Sequence, residues 1–246
     1  MKIIILIFSL LITFISNSQN TIVENGDTLN KYGLDGRKTG TWLEHYGSAR
    51  QIGEYLNGSK EGIWLSYFNS GMLNSIINYR KGMLDGVSLV FDEQGRLRNE
   101  RHMRNNMMHG ENIFYGENGT PLFKKNYKNG ILDGAQIEYY SNGDTLDLEF
   151  YKNGIKDGPS TYFNEKGVII SKIFFSNGDF NGPNITYFDS GKPMIESNYI
   201  AGIQQGEYIE YYESGKIKIQ GKFQDGQKVG KWIEFDENGK KIKNNK

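Results

Sequence analysis

The chain contains 246 residues, with 29 basic and 29 acidic side chains, three histidines and no cysteine. Because nucleic-acid binding depends on basic groups that neutralise phosphates, the balanced charge argues against a nucleic-acid partner. The lack of cysteine excludes disulfides and thiolate metal sites, so backbone pairing and packing must hold the fold together.

Residues 1–18 have the composition of a signal peptide. Lys2 precedes an apolar run over residues 3–15, and Ser16-Asn17-Ser18 places small residues where a signal peptidase cleaves. A membrane span needs about 20 apolar residues, so this run is short for an uncleaved anchor, which is the alternative. We therefore expect cleavage near Ser18 and export to the periplasm, cell envelope or exterior, with no transmembrane segment in the mature chain.

The rest of the chain repeats with a period of 24 residues. Glycine begins each repeat, and we number the repeat from this glycine as position 0. Positions 9 and 20 are also glycine in most repeats, and Asn106 replaces glycine at one position 20. Asparagine is tolerant of positive φ, so all three positions predict left-handed backbone in turns. A period of this length indicates a repeat array. Position 0 is Gly40, Gly62, Gly86, Gly110, Gly134, Gly158, Gly182, Gly206 and Gly230.

Between the glycines the pattern predicts strands. Apolar and aromatic residues occupy positions 3, 5 and 17, which predicts that these positions share one face of a sheet. Pairs such as Asn142-Gly143 predict tight hairpin turns, so each repeat is read as one β-hairpin. Position 12 is often apolar, as at Leu122 and Leu146, yet it lies an odd number of residues from position 17. Either the second strand carries a bulge, or both faces are partly covered.

We therefore predict an all-β fold, an elongated antiparallel β-meander of tandem 24-residue hairpins that follows the signal peptide. Residues 19–39 are interpreted as a truncated N-terminal cap repeat. Residues 40–246 are interpreted as a single repeat domain of about nine repeats. The first repeat is two residues shorter than the others, which leaves its later residues on their own faces because side chains alternate with period two.

The repeat resembles a known family. Its frame is visible in Gly62-Ile63-Trp64-Leu65-Ser66-Tyr67 and in Tyr127-Lys128-Asn129-Gly130-Ile131-Leu132-Asp133-Gly134. This frame resembles the MORN repeat, and it is most similar to the bacterial variant of the YwqK-type antitoxin family. The resemblance implies protein scaffolding or, less directly, lipid binding, and the antitoxin type implies a protein partner.

Few residues remain for chemistry outside the repeat frame. His45, His102 and His109 show no metal-ligand spacing on a common strand. The aspartates before repeat glycines, such as Asp85, Asp133 and Asp157, are interpreted as turn residues that bond their own backbone. A row of calcium-binding aspartates is the alternative. We expect no catalytic, cofactor-binding or metal-binding residue, and hence no enzyme.

Aromatic residues at positions 2, 4 and 6 lie on the face opposite the predicted core. Exposed aromatics rimmed by charge are typical of binding patches, although a single-layer sheet also needs aromatic cover merely to exclude water. We expect a non-enzymatic exported scaffold or antitoxin-like, immunity-like module that binds a protein. The alternative is an envelope binder of glycan, peptidoglycan or lipid that uses this aromatic face. The candidate binding surface consists of Trp42, Trp64, Phe68, Tyr140, Phe188, Tyr208, Tyr212 and Trp232.

Overall fold

A computed structural model describes residues 23–24, 27–47 and 49–242, and the expected signal peptide lies outside these residues. The described residues form antiparallel strands and contain no helix, and so none long and apolar enough to span a membrane. The strands are β1 (Val23–Glu24), β2 (Asp27–Thr28), β3 (Lys31–Tyr32), β4 (Lys38–Tyr46), β5 (Ala49–Leu56), β6 (Ser59–Tyr67), β7 (Leu73–Arg80), β8 (Met83–Leu84), β9 (Gly86–Phe91), β10 (Leu97–Arg104), β11 (Met107–Met108), β12 (Gly110–Tyr115), β13 (Pro121–Lys128), β14 (Ile131–Tyr139), β15 (Thr145–Lys152), β16 (Ile155–Lys156), β17 (Gly158–Phe163), β18 (Ile169–Ser176), β19 (Asp179–Tyr187), β20 (Pro193–Ile200), β21 (Ile203–Gln204), β22 (Gly206–Tyr211), β23 (Ile217–Gln224) and β24 (Gln227–Glu234).

The chain divides into two compact units between Met107 and Met108. Within each unit, strands that follow one another in sequence pair antiparallel, as β4 does with β5 and β14 with β15. The predicted meander of tandem hairpins is therefore confirmed. The interpretation of residues 40–246 as a single domain stays a prediction, and the two units are described separately below.

Two kinds of turn alternate along each unit. At positions 19 and 20 both residues have positive φ, as in Asn129 (51°) and Gly130 (82°), which is the geometry of a two-residue type I′ hairpin turn. Asn106 has a φ of 66°, as expected for the residue that replaces glycine. At position 9 only the glycine has positive φ. There Gly191 donates its N–H to the Phe188 carbonyl, and this closes a three-residue loop.

The glycine at position 0 meets a different requirement, because it lies where the pairing register slips. Lys125 pairs with Gln136 and Tyr127 with Leu132, so extra residues around Gly134 bulge out of the ladder. Gly134 has a φ of 109°, and a Cβ atom on it would lie 3.3 Å from Cβ of Asn126. The backbone angle therefore favours glycine throughout position 0, and limited space adds to this at Gly134.

A second register shift settles the problem of position 12. Phe114 pairs with Phe123 but Tyr115 pairs with Pro121, so Leu122 is left unpaired as a bulge in the second strand. The bulge changes which residues share a face, because side chains alternate along a strand. Position 17 therefore lies on the same face as positions 2 and 4, and the prediction that it shares a face with positions 3 and 5 is wrong. The same shift skips Leu146, Ile170 and Met194.

The shortened first repeat lacks this bulge. There β4 and β5 pair without any register shift, from Gly40 opposite Tyr55 to Tyr46 opposite Ala49. The two missing residues correspond to the bulge residue and one loop residue of the longer repeats. Trp42 lies opposite Gly53, so later residues of this repeat keep their faces as predicted.

Tryptophan at position 2 is accommodated by a glycine in the strand before it. A Cβ atom on Gly53 would lie 2.3 Å from the indole of Trp64, and one on Gly221 would lie 2.3 Å from the indole of Trp232. Neither glycine belongs to the repeat frame, and neither has positive φ. These two glycines are therefore required by ring packing rather than by backbone conformation.

Hydrogen bonds also join each type I′ turn to the next one. Gly154 donates its N–H to the Leu132 carbonyl at 2.8 Å, and Gly178 donates to the Lys156 carbonyl at 2.9 Å. At the N-terminal end, the Asn30 amide accepts from the Leu43 N–H at 2.8 Å and donates to the Leu43 carbonyl at 3.2 Å. The Asn30 side chain thus pairs with both backbone groups of Leu43 on the edge of β4, as a neighbouring strand would.

We expect Gly53→Ala to lower the free energy of unfolding by about 1–3 kcal/mol, because the added methyl group overlaps the Trp64 ring. Urea denaturation of the wild type, Gly53→Ala, Trp64→Ala and the double variant measures the effect. When Gly53→Ala is added to Trp64→Ala, it should lower the free energy of unfolding little further, because the ring that the methyl group overlaps is gone. Additive costs of the two substitutions would contradict the packing assigned to this pair.

Candidate functional site

Position 2, expected to be exposed, is the most buried row of the repeat. Trp42 is 6% exposed and Trp64 is 2% exposed, so neither belongs to an exposed binding face and this expectation is wrong. In the next four repeats the row holds small or polar residues that are also buried, whereas Asn184, Tyr208 and Trp232 are half-buried. Ser88 is 6%, Gln136 6% and Ser160 1% exposed. The error arose from the face assigned to position 17, because the bulge in the second strand turns the aromatic residues of position 17 onto the face of position 2.

The surroundings of Trp64 show how a single sheet buries a large ring. The Tyr55 and Tyr79 rings make edge contacts at centroid distances of 5.1 and 6.3 Å, and Lys60 Nζ lies 3.7 Å from the ring centroid. The indole N–H donates to the Glu54 carbonyl at 3.1 Å. Trp64 therefore packs on all sides and stabilises the fold rather than facing a partner.

The remaining predicted surface residues fall into two separate places. Tyr208 and Trp232 are half-buried and pack against each other at a centroid distance of 5.5 Å. Position 6 lies at the three-residue loops, where Tyr140 and Tyr212 donate their hydroxyls to carbonyls of the next repeat, each at 2.8 Å. Whether these residues bind a partner stays a prediction. The half-buried residues at position 6 are Phe68, Tyr140, Phe188 and Tyr212.

Residues that precede the repeat glycines share a structural role. Six of them accept a hydrogen bond from a backbone N–H of the following type I′ turn, 20 residues later. We expected the aspartates among them to bond the backbone of their own turn. For Asp133 and Asp157 this expectation is wrong, because their carboxylates accept from the turn of the next repeat. His109, Asn181 and Gln205 accept in the same way, which explains why aspartate is not required. The acceptors and donors are Glu61 and Lys81 (2.7 Å), His109 and Asn129 (3.4 Å), Asp133 and Asn153 (3.1 Å), Asp157 and Asn177 (3.2 Å), Asn181 and Ala201 (3.3 Å), and Gln205 and Asp225 (3.0 Å).

The other candidates for chemistry lie apart from one another. His45, expected at an aromatic core place, is exposed, and His102 lies 4.0 Å from a Glu100 carboxylate oxygen. Asp85 forms an ion pair with Arg80 at 3.6 Å. In the part of the chain that the structure describes, no three histidine, aspartate or glutamate side chains come together as metal ligands.

The first unit contains a half-buried carboxylate that the sequence analysis missed. Glu44 is 10% exposed and accepts hydrogen bonds from Lys38 (2.6 Å), Tyr55 (2.9 Å) and Tyr46 (3.1 Å), while Lys60 Nζ lies 3.3 Å away. Burial alone would raise the pKa of Glu44. The hydrogen bonds from Lys38 and Tyr55 and the charge of Lys60 nevertheless lower the pKa to about 2.

The second unit contains a related cluster around Glu149. This carboxylate accepts hydrogen bonds from Tyr151 (2.9 Å), Tyr162 (2.8 Å) and Lys156, and these bonds offset burial and lower its pKa. Beside the cluster lies a surface cavity of about 110 Å³. Its lining combines carboxylates, an amide and aromatic rings from three consecutive strands. The lining residues are Phe123, Lys125, Leu132, Gln136, Ile137, Glu138, Asp147, Glu149 and Tyr151.

A row of exposed apolar side chains runs along the type I′ turns of the second unit. Ile131, Ile155 and Ile203 occupy position 21 and are 50%, 49% and 49% exposed. We call these three residues the turn-edge row. Exposed Lys128 pairs across the turn with Ile131, and exposed Lys152 pairs with Ile155. The row therefore presents isoleucine beside lysine at Ile131 and Ile155, whereas Ile203 pairs with exposed Ile200.

The comparisons with known proteins agree with this repeat geometry. The family described as the MORN repeat variant matches residues 60–81, 108–129, 132–154, 180–201, 204–225 and 228–243, together just over half of the chain. The chain belongs to the MORN repeat variant family. MORN repeats are in general modules that bind proteins or lipids. A comparison with curated proteins found no match.

We expect Glu44→Gln to destabilise the first unit by about 1–2 kcal/mol at pH 7, because Lys38 and Lys60 lose their carboxylate. The folded pKa lies below the ordinary value of 4.5, so this stabilisation is present above pH 4.5 and is lost as the pH falls towards about 2. Urea denaturation at several pH values measures it. Glu54→Gln, at an exposed position, is the control, and a difference that persisted unchanged to pH 2 would contradict the assignment.

Proposed function

We propose that this MORN repeat array is a non-enzymatic, exported protein-binding module and that the turn-edge row is its docking surface. The observation that carries the proposal is the regular exposure of Ile131, Ile155 and Ile203 at about half of their surface. Buried on association, such side chains contribute favourable free energy in proportion to the apolar area removed from water. The 24-residue period places one of them in most repeats of the second unit, which suits an extended partner segment.

The turn-edge row also has the rigidity that a docking surface needs. A Cβ atom on Gly154 would lie 3.3 Å from Cγ2 of Ile131, and one on Gly178 would lie 3.2 Å from Cγ2 of Ile155. Each isoleucine therefore packs against the turn of the next repeat. Because the side chains are held in place before association, little conformational entropy is lost when a partner binds.

The finer parts of the proposal rest on the sequence. Export rests on the signal-peptide pattern of residues 1–18, and an antitoxin-like or immunity-like role rests on the resemblance to the YwqK-type family. An exported antitoxin-like protein would act on a partner outside the cytoplasm. Fractionation of cells that express the full chain tests this part separately, because retention in the cytoplasm would contradict export and leave the docking surface unaffected.

A second candidate ligand is an anionic lipid surface. Lys128 and Lys152 stand beside Ile131 and Ile155, and cations next to exposed apolar groups favour anionic headgroups. The glycan alternative has less support, because the buried rings of Trp42 and Trp64 offer no exposed face for stacking on a sugar.

We expect the mature chain to capture a protein from envelope extract, and Ile131→Ser/Ile155→Ser to weaken that capture about tenfold or more. Each isoleucine that loses its apolar contact costs binding free energy, and about 1.4 kcal/mol corresponds to a factor of ten. The measurement is a pull-down followed by titration of the purified partner. Circular dichroism confirms that the variant is folded.

Ile169→Ser/Ile170→Ser is the matched control, since these residues are exposed to 37% and 36% but lie away from the type I′ turns. Equal loss in the control variant would refute the assignment of the docking surface. Sedimentation with anionic phosphatidylglycerol vesicles and with neutral phosphatidylcholine vesicles distinguishes an anionic lipid ligand from a protein partner. Binding to the anionic vesicles that depends on Ile131 and Ile155, without a captured protein, would replace the protein partner by lipid.

A further inference from the structure

The surface cavity beside Glu149 contains two carboxylates that face each other across neighbouring strands. Glu138 on β14 and Asp147 on β15 are direct cross-strand partners. Like charges in this arrangement destabilise a sheet. Within residues 23–24, 27–47 and 49–242, no side chain forms a hydrogen bond or an ion pair with either carboxylate. The nearby Glu149 differs, because Tyr151, Lys156 and Tyr162 satisfy it.

A buried amide provides a second, independent sign of a missing donor. Gln136 is 6% exposed and lies in the lining of the same cavity. Its Nε2 donates to the Asn126 carbonyl at 3.1 Å, whereas its Oε1 has no hydrogen-bond partner among the described residues. A buried acceptor without a donor costs free energy. The Asp147 carboxylate accepts a hydrogen bond from the Glu138 backbone, but the Gln136 oxygen has no donor among the described residues, and no described side chain donates to either carboxylate.

The dimensions and walls of the cavity restrict what can enter it. Its volume of about 110 Å³ is well below the roughly 300–1,000 Å³ of sites for drug-sized ligands. The rings of Phe123 and Tyr151 form part of the wall, and Lys125 Nζ already lies 5.1 Å from the Phe123 centroid. Aromatic walls favour a cationic group. A single side-chain head group fits these conditions better than an oligosaccharide or a nucleotide.

We propose that this cavity receives an arginine side chain of the bound protein, whose guanidinium donates to Asp147, Glu138 and Gln136. A guanidinium carries five donors in a planar fork and stacks on aromatic rings, so it matches two carboxylates and an amide oxygen between two ring walls. The inference rests on the proposed function, because it takes the arginine to belong to the protein partner. The described part of the chain assembles no three-ligand metal site, which makes a metal ion a poorer occupant.

The charges around Asp147 predict how pH affects occupancy. Burial and, to a smaller extent, the charges of Glu149 and Glu138 raise the pKa of Asp147 to about 6, against the opposing charge of Lys156 and a hydrogen bond from the Glu138 backbone. A guanidinium favours the charged carboxylate, so binding should be strong above pH 6 and should weaken as the pH falls below it. Glu138 on β14, Glu149 on β15 and Lys156 on β16 act on Asp147. Lys125 on β13 lines the same cavity, and Tyr162 on β17 is the cross-strand partner of Asp147.

The test uses the mature chain and a small probe, N-acetyl-arginine amide, in an NMR titration that follows the Gln136 side-chain amide. We expect saturable binding with a dissociation constant in the millimolar range, as for a few charged hydrogen bonds. Asp147→Asn should weaken it about tenfold or more and should remove its dependence on pH between 5 and 7. N-acetyl-citrulline amide, which is uncharged but has nearly the same shape, should not bind.

Asp179→Asn is the matched control, because Asp179 lies in the same unit on β19, outside the cavity lining. Gln136→Leu provides a second variant, followed through the backbone amide of Asp147, since it removes the unpaired oxygen and should also weaken binding. Failure of the arginine probe to shift the Gln136 amide at about 10 mM, or equal binding by Asp147→Asn, would overturn the inference. Capture of a protein in the pull-down together with failure of the probe would overturn the arginine site alone and leave the proposed function standing.

Discussion

The extra residue at position 12 is the constraint on which the other features of this protein depend. Because it stays unpaired, the second strand of each full repeat shifts register by one residue, and every later side chain changes face relative to a regular hairpin. Position 17 thereby joins positions 2 and 4. This one shift buries Trp64, places the Glu149 cluster beside Tyr162, and brings Glu138 opposite Asp147. The shortened first repeat reaches the same arrangement without a bulge, since it also lacks one loop residue.

The buried row at position 2 explains why a cavity lies beside Gln136 whereas the space at Trp64 is filled. In the first unit, Trp64 fills the space above Gly53 and contacts two tyrosines. In the second unit the same position is Gln136, and a cavity of about 110 Å³ lies beside it. Replacing a large ring by a smaller polar side chain removes packing atoms and leaves room that the sheet does not close. The loss of tryptophan from the frame can thus be interpreted as the origin of a site.

Much of the fold followed from the sequence, whereas the site did not. The glycine period predicted the turns and the hairpins, because positive φ restricts those positions to glycine or asparagine, and Asn106 behaves accordingly. The assignment of faces failed because strict alternation was applied across a bulge that only pairing register reveals. One signal was available, since Gly53 and Gly221 lie outside the frame and each comes 11 residues before a tryptophan. The cavity was beyond prediction, because its lining from residues 123 to 151 converges only when three strands are in register.

Asp147 connects binding to stability in the second unit. Its pKa of about 6 in the folded chain lies above the ordinary value of 3.8, so the folded state holds the proton more tightly than the unfolded state. The contribution of Asp147 to stability is therefore greatest below pH 3.8 and is lost as the pH rises through 6. At neutral pH the unoccupied carboxylate pair opposes folding. A bound cation favours the charged form and reverses this effect, so part of the free energy of binding comes from relief of repulsion that the fold itself imposes.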